Sequence, residues 1–368
     1  MSNKKINGWE MDQQKKTTYH PQQLTRHQKL ERRRLLNADF NLIGGQFELS
    51  NFVDTSSDPN LVTFSQSTSA PEIYQVSLAD GVFNFGGTGA VPSGITGDGT
   101  NLLTLDTDVS AITSILASST TGDSFDIEFG TSFDFTGDIT IEQSGGGVNF
   151  GTISQQMGAE FTHLGTLDIT GVDEVNLNEA DNDFDNVRIE ATDNITLVDT
   201  DDIDLEAVQS AMGAVDVMAG GNVQVDGAVD AGTSIDVTAG GSILDSDNDL
   251  AVDFTAGGQI TLLAVDDVGG SVVSGDQKLE FAAGSVVDAT SDTGNVELRG
   301  LGDITLVDVE ATAGAVDVMA AGDVTVGSVT AGTTVDVTAG GSINDSDCLL
   351  YTSPSPRDQR GSRMPSSA

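Results

Sequence analysis

Between Met1 and Asp347 the chain has no cysteine; its one cysteine is Cys348. Disulfides and thiolate metal centres are therefore excluded from the body of the protein. Cations are almost as scarce. Of 15 Lys and Arg, nine lie in residues 1–40 and three in 348–368, so Arg188, Lys278 and Arg299 stand against 52 of the 57 carboxylates across residues 41–347. Such a body cannot neutralise phosphates, which excludes nucleic acid as a partner and argues against docking on an anionic membrane surface. No apolar run approaches the ~18 residues of a membrane span.

Signals for catalysis are missing too. The Gly-Gly pairs sit between short apolar runs as turns, not between a strand and a helix as a phosphate loop would. His163 is the body's only histidine, and His20 and His27 lie in the basic N-terminal segment without companion metal ligands. Paired carboxylates serve glycoside hydrolysis, but among 52 of them a pair carries no information. A lyase acting on a polyanion would need clustered cations to hold substrate and enolate, and here they are isolated. The reading is that of a protein that is not an enzyme, with no catalytic or cofactor-binding residue to assign.

What the chain does have is self-similarity. GAVDVMAGGNVQVDGAVDAGTSIDVTAGGSILDSD (213–247) and GAVDVMAAGDVTVGSVTAGTTVDVTAGGSINDSD (314–347) agree at 26 of 34 positions once Asp226 is skipped, at an offset of 101 residues. Within this unit a triplet of apolar, acidic and apolar residues recurs eleven times from Ile127 (IEF) to Val335 (VDV), at steps of 17 to 28 residues. In a strand, alternate side chains point to opposite sides, so the two Val of VDV face a core while Asp faces water. Low hydropathy with high charge can mean disorder, but the regular Val/Ile/Leu/Phe alternation argues for strands. Gly220, Gly221, Gly227 and Gly232 fall between the triplets, where turns with positive φ are expected. The period predicts an all-β fold: a right-handed parallel β-helix, or β-solenoid, with coils of about 20 residues, the long repeat being about five of them.

VDVMAGG, IDVTAGGSI and VDVTAGGSI, which cover most of 127–347, resemble the haemagglutinin-type right-handed β-helix repeats of large bacterial surface adhesins. The segment LERRRLLNADF (Leu30–Phe40) resembles the LEPR-XLL segment near the start of very large bacterial repeat proteins, with Arg32 in place of its Pro. Together these imply an extracellular or cell-surface location. The tail CLLYTSPSPRDQRGSRMPSSA (Cys348–Ala368) looks like translated sequencing adapter, which implies that the chain is a fragment of a longer reading frame. Four segments result: a basic sorting-like segment, helical or disordered, over 1–40; an irregular β cap or first coils over 41–126; solenoid repeats over 127–347; and a non-native tail over 348–368.

Two acidic stretches carry the candidate metal ligands. EADNDFDN places Asp181, Asp183 and Asp185 at alternate positions, and DSDND does the same with Asp245, Asp247 and Asp249. Alternating carboxylates in a loop can converge on Ca²⁺, although neither stretch completes an EF-hand: Asn186 and Leu250 replace the turn Gly, Thr192 and Ala256 the bidentate Glu. The expected function is the structural or adhesive shaft of a large extracellular repeat protein. Its partners would be cell-surface or matrix components, with end-to-end self-association through an uncapped C-terminal coil. The competing classes are a carbohydrate-active β-helix enzyme and a stalk for a C-terminal toxin or catalytic domain.

Overall fold

The computed structural model of the chain describes residues 37–53, 60–79, 81–87, 90–108, 111–119, 125–130, 132–143, 150–247, 249–270 and 278–346. The basic segment through residue 36, with its expected helix, lies outside the described residues, and so do Cys348 and the rest of the tail. Two compact units divide the chain. One runs to Phe184 and takes in Ile189–Thr192; the other holds Asp185–Arg188 and the residues from Asp193 onward.

The first unit begins with antiparallel pairs. Asn37–Ile43 turns back as Gln46–Val53, and the turn needs Gly44 and Gly45 because both have positive φ, 61° and 98°. Asn60–Ser67 pairs with Ala70–Leu78, which also takes Leu102–Asp106. From Ser114–Ser119 onward the pairing turns parallel. The core is aromatic. Phe129 and Phe161 stack with ring centres 4.2 Å apart, while Phe133 and Phe184 meet Phe161 edge-on at 5.6 and 5.3 Å. His163 is fully buried in this cluster and holds the Phe135 carbonyl oxygen with Nδ1 at 3.0 Å. A crevice among Phe64, Ile115, Ala117, Phe129, Ile139 and Ile141 is walled by apolar side chains alone.

The second unit is aliphatic, and its described strand pairs are all parallel. Val215–Ala219 alternates buried and exposed with both Val and Ala inward, as the VDV pattern requires. Hydrogen-bonded partners form rows. One row runs through Val215, Ile235, Ile260, Val287, Leu306 and Val326. Another runs through Val223, Ile243, Val268, Val296, Val316 and Val335. The two copies of VDVMA therefore stand in different rows. The reading of the 101-residue repeat as a whole number of equal coils is corrected: the steps Ile235 to Ile260 and Ile260 to Val287 are longer than 20 residues and carry the second copy out of phase.

The larger correction concerns the fold class. The sheet is a nearly closed parallel β-barrel in which 17 strands pass around an axis through 341°, not an open right-handed β-solenoid of 20-residue coils. The physical reason lies in the corners. Phe161–Leu177 runs on through 17 residues and pairs in turn with Phe133–Phe135, Asp138–Gln143 and Phe150–Gln155. Ile203–Ser210 pairs with both Val223–Val225 and Val229–Ala231. Strands that carry on across corners fuse flat ladders into one curved sheet and leave no long free edges. The resemblance to adhesin β-helices fails with this, and the adhesive shaft, the stalk and the β-helix enzyme lose the architecture on which they rested.

Two devices hold the corners. Asx side chains bridge adjacent rows: Asp202 Oδ1 accepts the Asn222 N–H at 2.6 Å, and Asn222 Oδ1 in turn accepts the Ser242 N–H at 2.8 Å. Asp303 and Asp323 repeat this with the N–H groups of Asp323 and Ser342, at 2.8 and 2.6 Å. Much of the acidity is thus spent on backbone N–H groups that would otherwise be unpaired. Glycine is the second device, for a reason other than expected. Gly220, Gly221, Gly227 and Gly232 do not have positive φ. They are needed for close approach, since a Cβ on Gly220 would run into the Thr200 carbonyl oxygen and one on Gly240 into that of Gly220. Gly240→Ala is expected to cost about 1–3 kcal/mol by overpacking, read in urea unfolding. A variant as stable as the parent would show that the rows part freely.

Candidate functional site: a buried carboxylate pair

Three strands of the second unit bring together charges that the body otherwise keeps on its surface. In register, Phe254 partners Phe281, and Leu279 and Glu280 partner Leu298 and Arg299. The apolar residues build the local core: the Phe254 and Phe281 rings stack at 5.7 Å. Leu279–Phe281 differs from every VDV triplet in being buried at all three positions, so its central carboxylate is shut in.

Glu280 is 1% exposed, Asp253 4% and Asp245 1%. Asp253 exchanges two hydrogen bonds with Glu280: its Oδ2 accepts the Glu280 N–H at 2.7 Å, and its own N–H donates to the Glu280 carbonyl oxygen at 3.0 Å. Arg299 Nη1 donates to Glu280 Oε1 at 3.1 Å. Beside them Lys278 Nζ meets Asp317 Oδ2 at 2.5 Å, with the Lys nearly buried and the Asp half-exposed.

The electrostatic result is a pair of carboxyls that hold protons unusually well. Burial pushes Glu280 up to about 8, with the charges of Asp253 and Asp245 adding to it and Arg299 pulling the other way. Burial likewise raises Asp253 to about 7, against the hydrogen bond from the Glu280 backbone and with help from Asp245 and Asp247. Two carboxyls in one dry site do not both ionise readily. Near neutral pH the site therefore stores a proton and can release it. With both acids buried it offers no face to a substrate, so perturbed protonation here speaks for structure rather than catalysis.

The outward side carries carboxylates in register. Asp216 and Asp236 are direct partners, and Asp216 is raised by burial and by Asp236. Asp288 is raised by burial and by Asp308. Asp204 goes up to about 6 through burial, Asp226, Glu206 and Asp185.

The six candidate calcium ligands do not meet as two cages. Asp181 is exposed in a turn, while Asp183 and Asp185 point outward from the strand Asp183–Ala191, on either side of the buried Phe184. Between Asp181 and Asp183, Asn182 turns inward, where its Oδ1 accepts the Phe161 N–H at 3.1 Å and its Nδ2 donates to Gln155 Oε1 at 2.9 Å. In the second stretch Asp245 is buried, whereas Asp247 and Asp249 are exposed. Asp247 Oδ1 accepts the Asp249 N–H at 3.1 Å, and Asp249 Oδ1 accepts the Ala251 N–H. Among the described residues no three His, Cys, Asp or Glu side chains form a group able to hold a metal ion.

Sequence reasoning passed over Asp253 and Glu280, since VDF and LEF read like every other triplet. A signal was present in the scarcity of cations. Of the three in residues 41–347, Lys278 and Arg299 both neighbour Glu280, one in sequence and one in register. Met218 and Met319, expected to pack locally, stand on the outer side instead, half-exposed. Among the described residues no helix is long and apolar enough to cross a membrane. Compared with protein families, curated proteins and solved structures, the chain matches none.

Proposed function

We propose that this chain is a non-catalytic scaffold of the bacterial cell exterior that presents ordered rows of carboxylates to multivalent cations and cationic matrix components. The observation that carries the reading is the in-register acidic outer side, typified by Asp216 beside Asp236. Neighbouring strands lie ~4.8 Å apart. At that separation each like-charged pair repels by about 1 kcal/mol even in water, and a chain of net charge −42 accumulates many such terms. Divalent cations relieve them without needing a cage, and the exterior of a cell supplies such ions.

The test is thermal unfolding in NaCl, MgCl₂ and CaCl₂ at one ionic strength. Both divalent salts are expected to raise Tm by several degrees, gradually and by similar amounts, with Asp247→Asn/Asp249→Asn behaving like the parent. Equal Tm in all three salts would overturn the proposal. So would a saturable, calcium-selective rise that the double variant loses, because that is the behaviour of a specific site. A hydrolytic or lyase activity abolished by Glu280→Gln would overturn its non-catalytic part.

A further inference from the structure

The repeat exposes on one strand edge a surface that it covers elsewhere in the same unit. In the first copy Val215–Ala219 pairs with Ile235–Ala239, and Val223–Val225 with Ile243–Asp245. The second copy makes the same two pairs, Val316–Ala320 with Val335–Ala339 and Val324–Ala331 with Ile343–Asp345. Their hydrogen bonds correspond one to one. Val215 N–H to Ser234 O becomes Val316 N–H to Thr334 O, and Gly240 N–H to Ala219 O becomes Gly340 N–H to Ala320 O. Ser246 N–H to Val225 O becomes Ser346 N–H to Val326 O.

The next layer is where the copies part. In the first copy Gln259–Ala264 lies on Ile235–Ala239, pairing Ile260 with Ile235, Leu262 with Val237 and Ala264 with Ala239. Val268 then bridges to Ile243, whose N–H donates to the Asp267 carbonyl oxygen at 2.9 Å. Ile235 and Ile243 are fully buried as a result. Their counterparts Val335 and Ile343 are 50% and 55% exposed, and among the described residues neither strand has a partner on its far side.

We propose that the edge formed by Val335–Ala339 and Ile343–Asp345 is a docking site for one extended parallel strand with the chemistry of residues 257–270, GGQITLLAVDDVGG. An open edge of this kind binds by strand addition, with main-chain hydrogen bonds giving affinity and alternate side chains giving selection. The occupant must bring Ile, Leu and Ala inward at alternate positions and small residues at its entrance, where Gly340 and Gly341 keep the wall low. It must also be uncharged outward. In the first copy the acidic pair Asp216–Asp236 is followed by Thr261, not by a third aspartate. The second copy repeats the pair as Asp317–Asp336. A second molecule offering another VDVxA edge would set aspartate beside Asp336, so the neutral strand is favoured over self-association.

The probe is a labelled synthetic peptide of residues 257–270 added to the full chain, followed by fluorescence anisotropy and amide hydrogen exchange. Saturable one-to-one binding is expected, with slowed exchange over 335–346. Affinity should fall at least tenfold for Val337→Lys and for Ile343→Lys in the protein, and for Ile260→Asp in the peptide. Both protein substitutions lie on the open edge, and unchanged exchange elsewhere verifies that each variant is folded. Failure to saturate overturns the proposal, as it would if residues beyond 346 already cover the edge. Binding indifferent to all three substitutions, or a scrambled peptide binding as well, overturns it too. Protection of 335–346 that grows with protein concentration and resists the peptide assigns the edge to a second copy and likewise overturns it.

Discussion

Raising the pH from 5 to 8 should lower the melting temperature by roughly 6–12 °C, and Glu280→Gln should remove most of that fall. The sign follows from which state holds more protons. Glu280 and Asp253 have folded values of about 8 and 7, above the ordinary 4.5 and 3.8 that they regain on unfolding. Between those limits the native state binds more protons than the unfolded one, so stability falls as pH rises. For about one proton shared across two to three units the loss is on the order of 3 kcal/mol, and the temperature range follows from ~2–4 °C per kcal/mol for a unit of this size. Asp253→Asn should act like Glu280→Gln, since its side-chain oxygen can still accept the Glu280 N–H. Arg299→Met should steepen the fall, because Arg299 is the group that favours the ionised Glu280. A shallower slope will persist in all variants from Asp204, Asp216 and Asp288, which are raised in the same direction. A parent whose Tm is flat from pH 5 to 8, or a Glu280→Gln protein with the parent's slope, refutes the proton-storing pair.

The second large effect belongs to the first unit. Phe161→Ala should destabilise that unit by about 3–5 kcal/mol, the range for emptying a buried aromatic site. Phe161 is fully buried and touches Phe129, Phe133 and Phe184, so four rings lose mutual contacts at once. Because the two units need not unfold together, a single global transition is a poor measure. Hydrogen exchange over Phe125–Phe129 and Phe133–Phe135 reads the local opening directly, and it should quicken by two orders of magnitude or more. Phe161→Leu, which keeps most of the volume, should recover over half of the loss. Equal exchange in Phe161→Ala and parent would mean that the neighbouring rings close the gap without cost.

How far could the sequence be read? Alternation reports which side of a strand is wet, and it did so faithfully: VDVMA at 215 and IDVTA at 235 put the expected side chains inward. It carries no information on what a strand does at its end. Val324–Ala331 is one continuous strand with Gly327 inside it, although VTV, a glycine and then SVT read as two strands and a turn. Curvature and closure are set by such run-on corners, and so the fold class was misread from correctly placed strands. The acidic stretches show the same limit at the scale of a site. Alternate residues on a strand do share a side, but they sit some 6–7 Å apart, too far for Asp183 and Asp185 to grip one ion without a loop that folds them together. Asp253 and Glu280, 27 residues apart, meet only because their strands neighbour each other, which no local pattern announces.

The phase slip between the two VDVMA rows has a consequence for descent. Where a duplicated stretch re-enters a periodic lattice one whole period on, parent and offspring inherit the same surroundings and can be compared letter by letter. Here the duplicate re-entered between periods. Val215 looks across to Ile195 and Ile235, whereas Val316 looks across to Val296 and Val335, in a row that elsewhere holds Ile243 and Val268. Paralogous positions have thus been given different neighbourhoods without a change of spelling. Selection acting on one copy need not constrain the other, and the most conserved-looking words in the chain are free to drift apart.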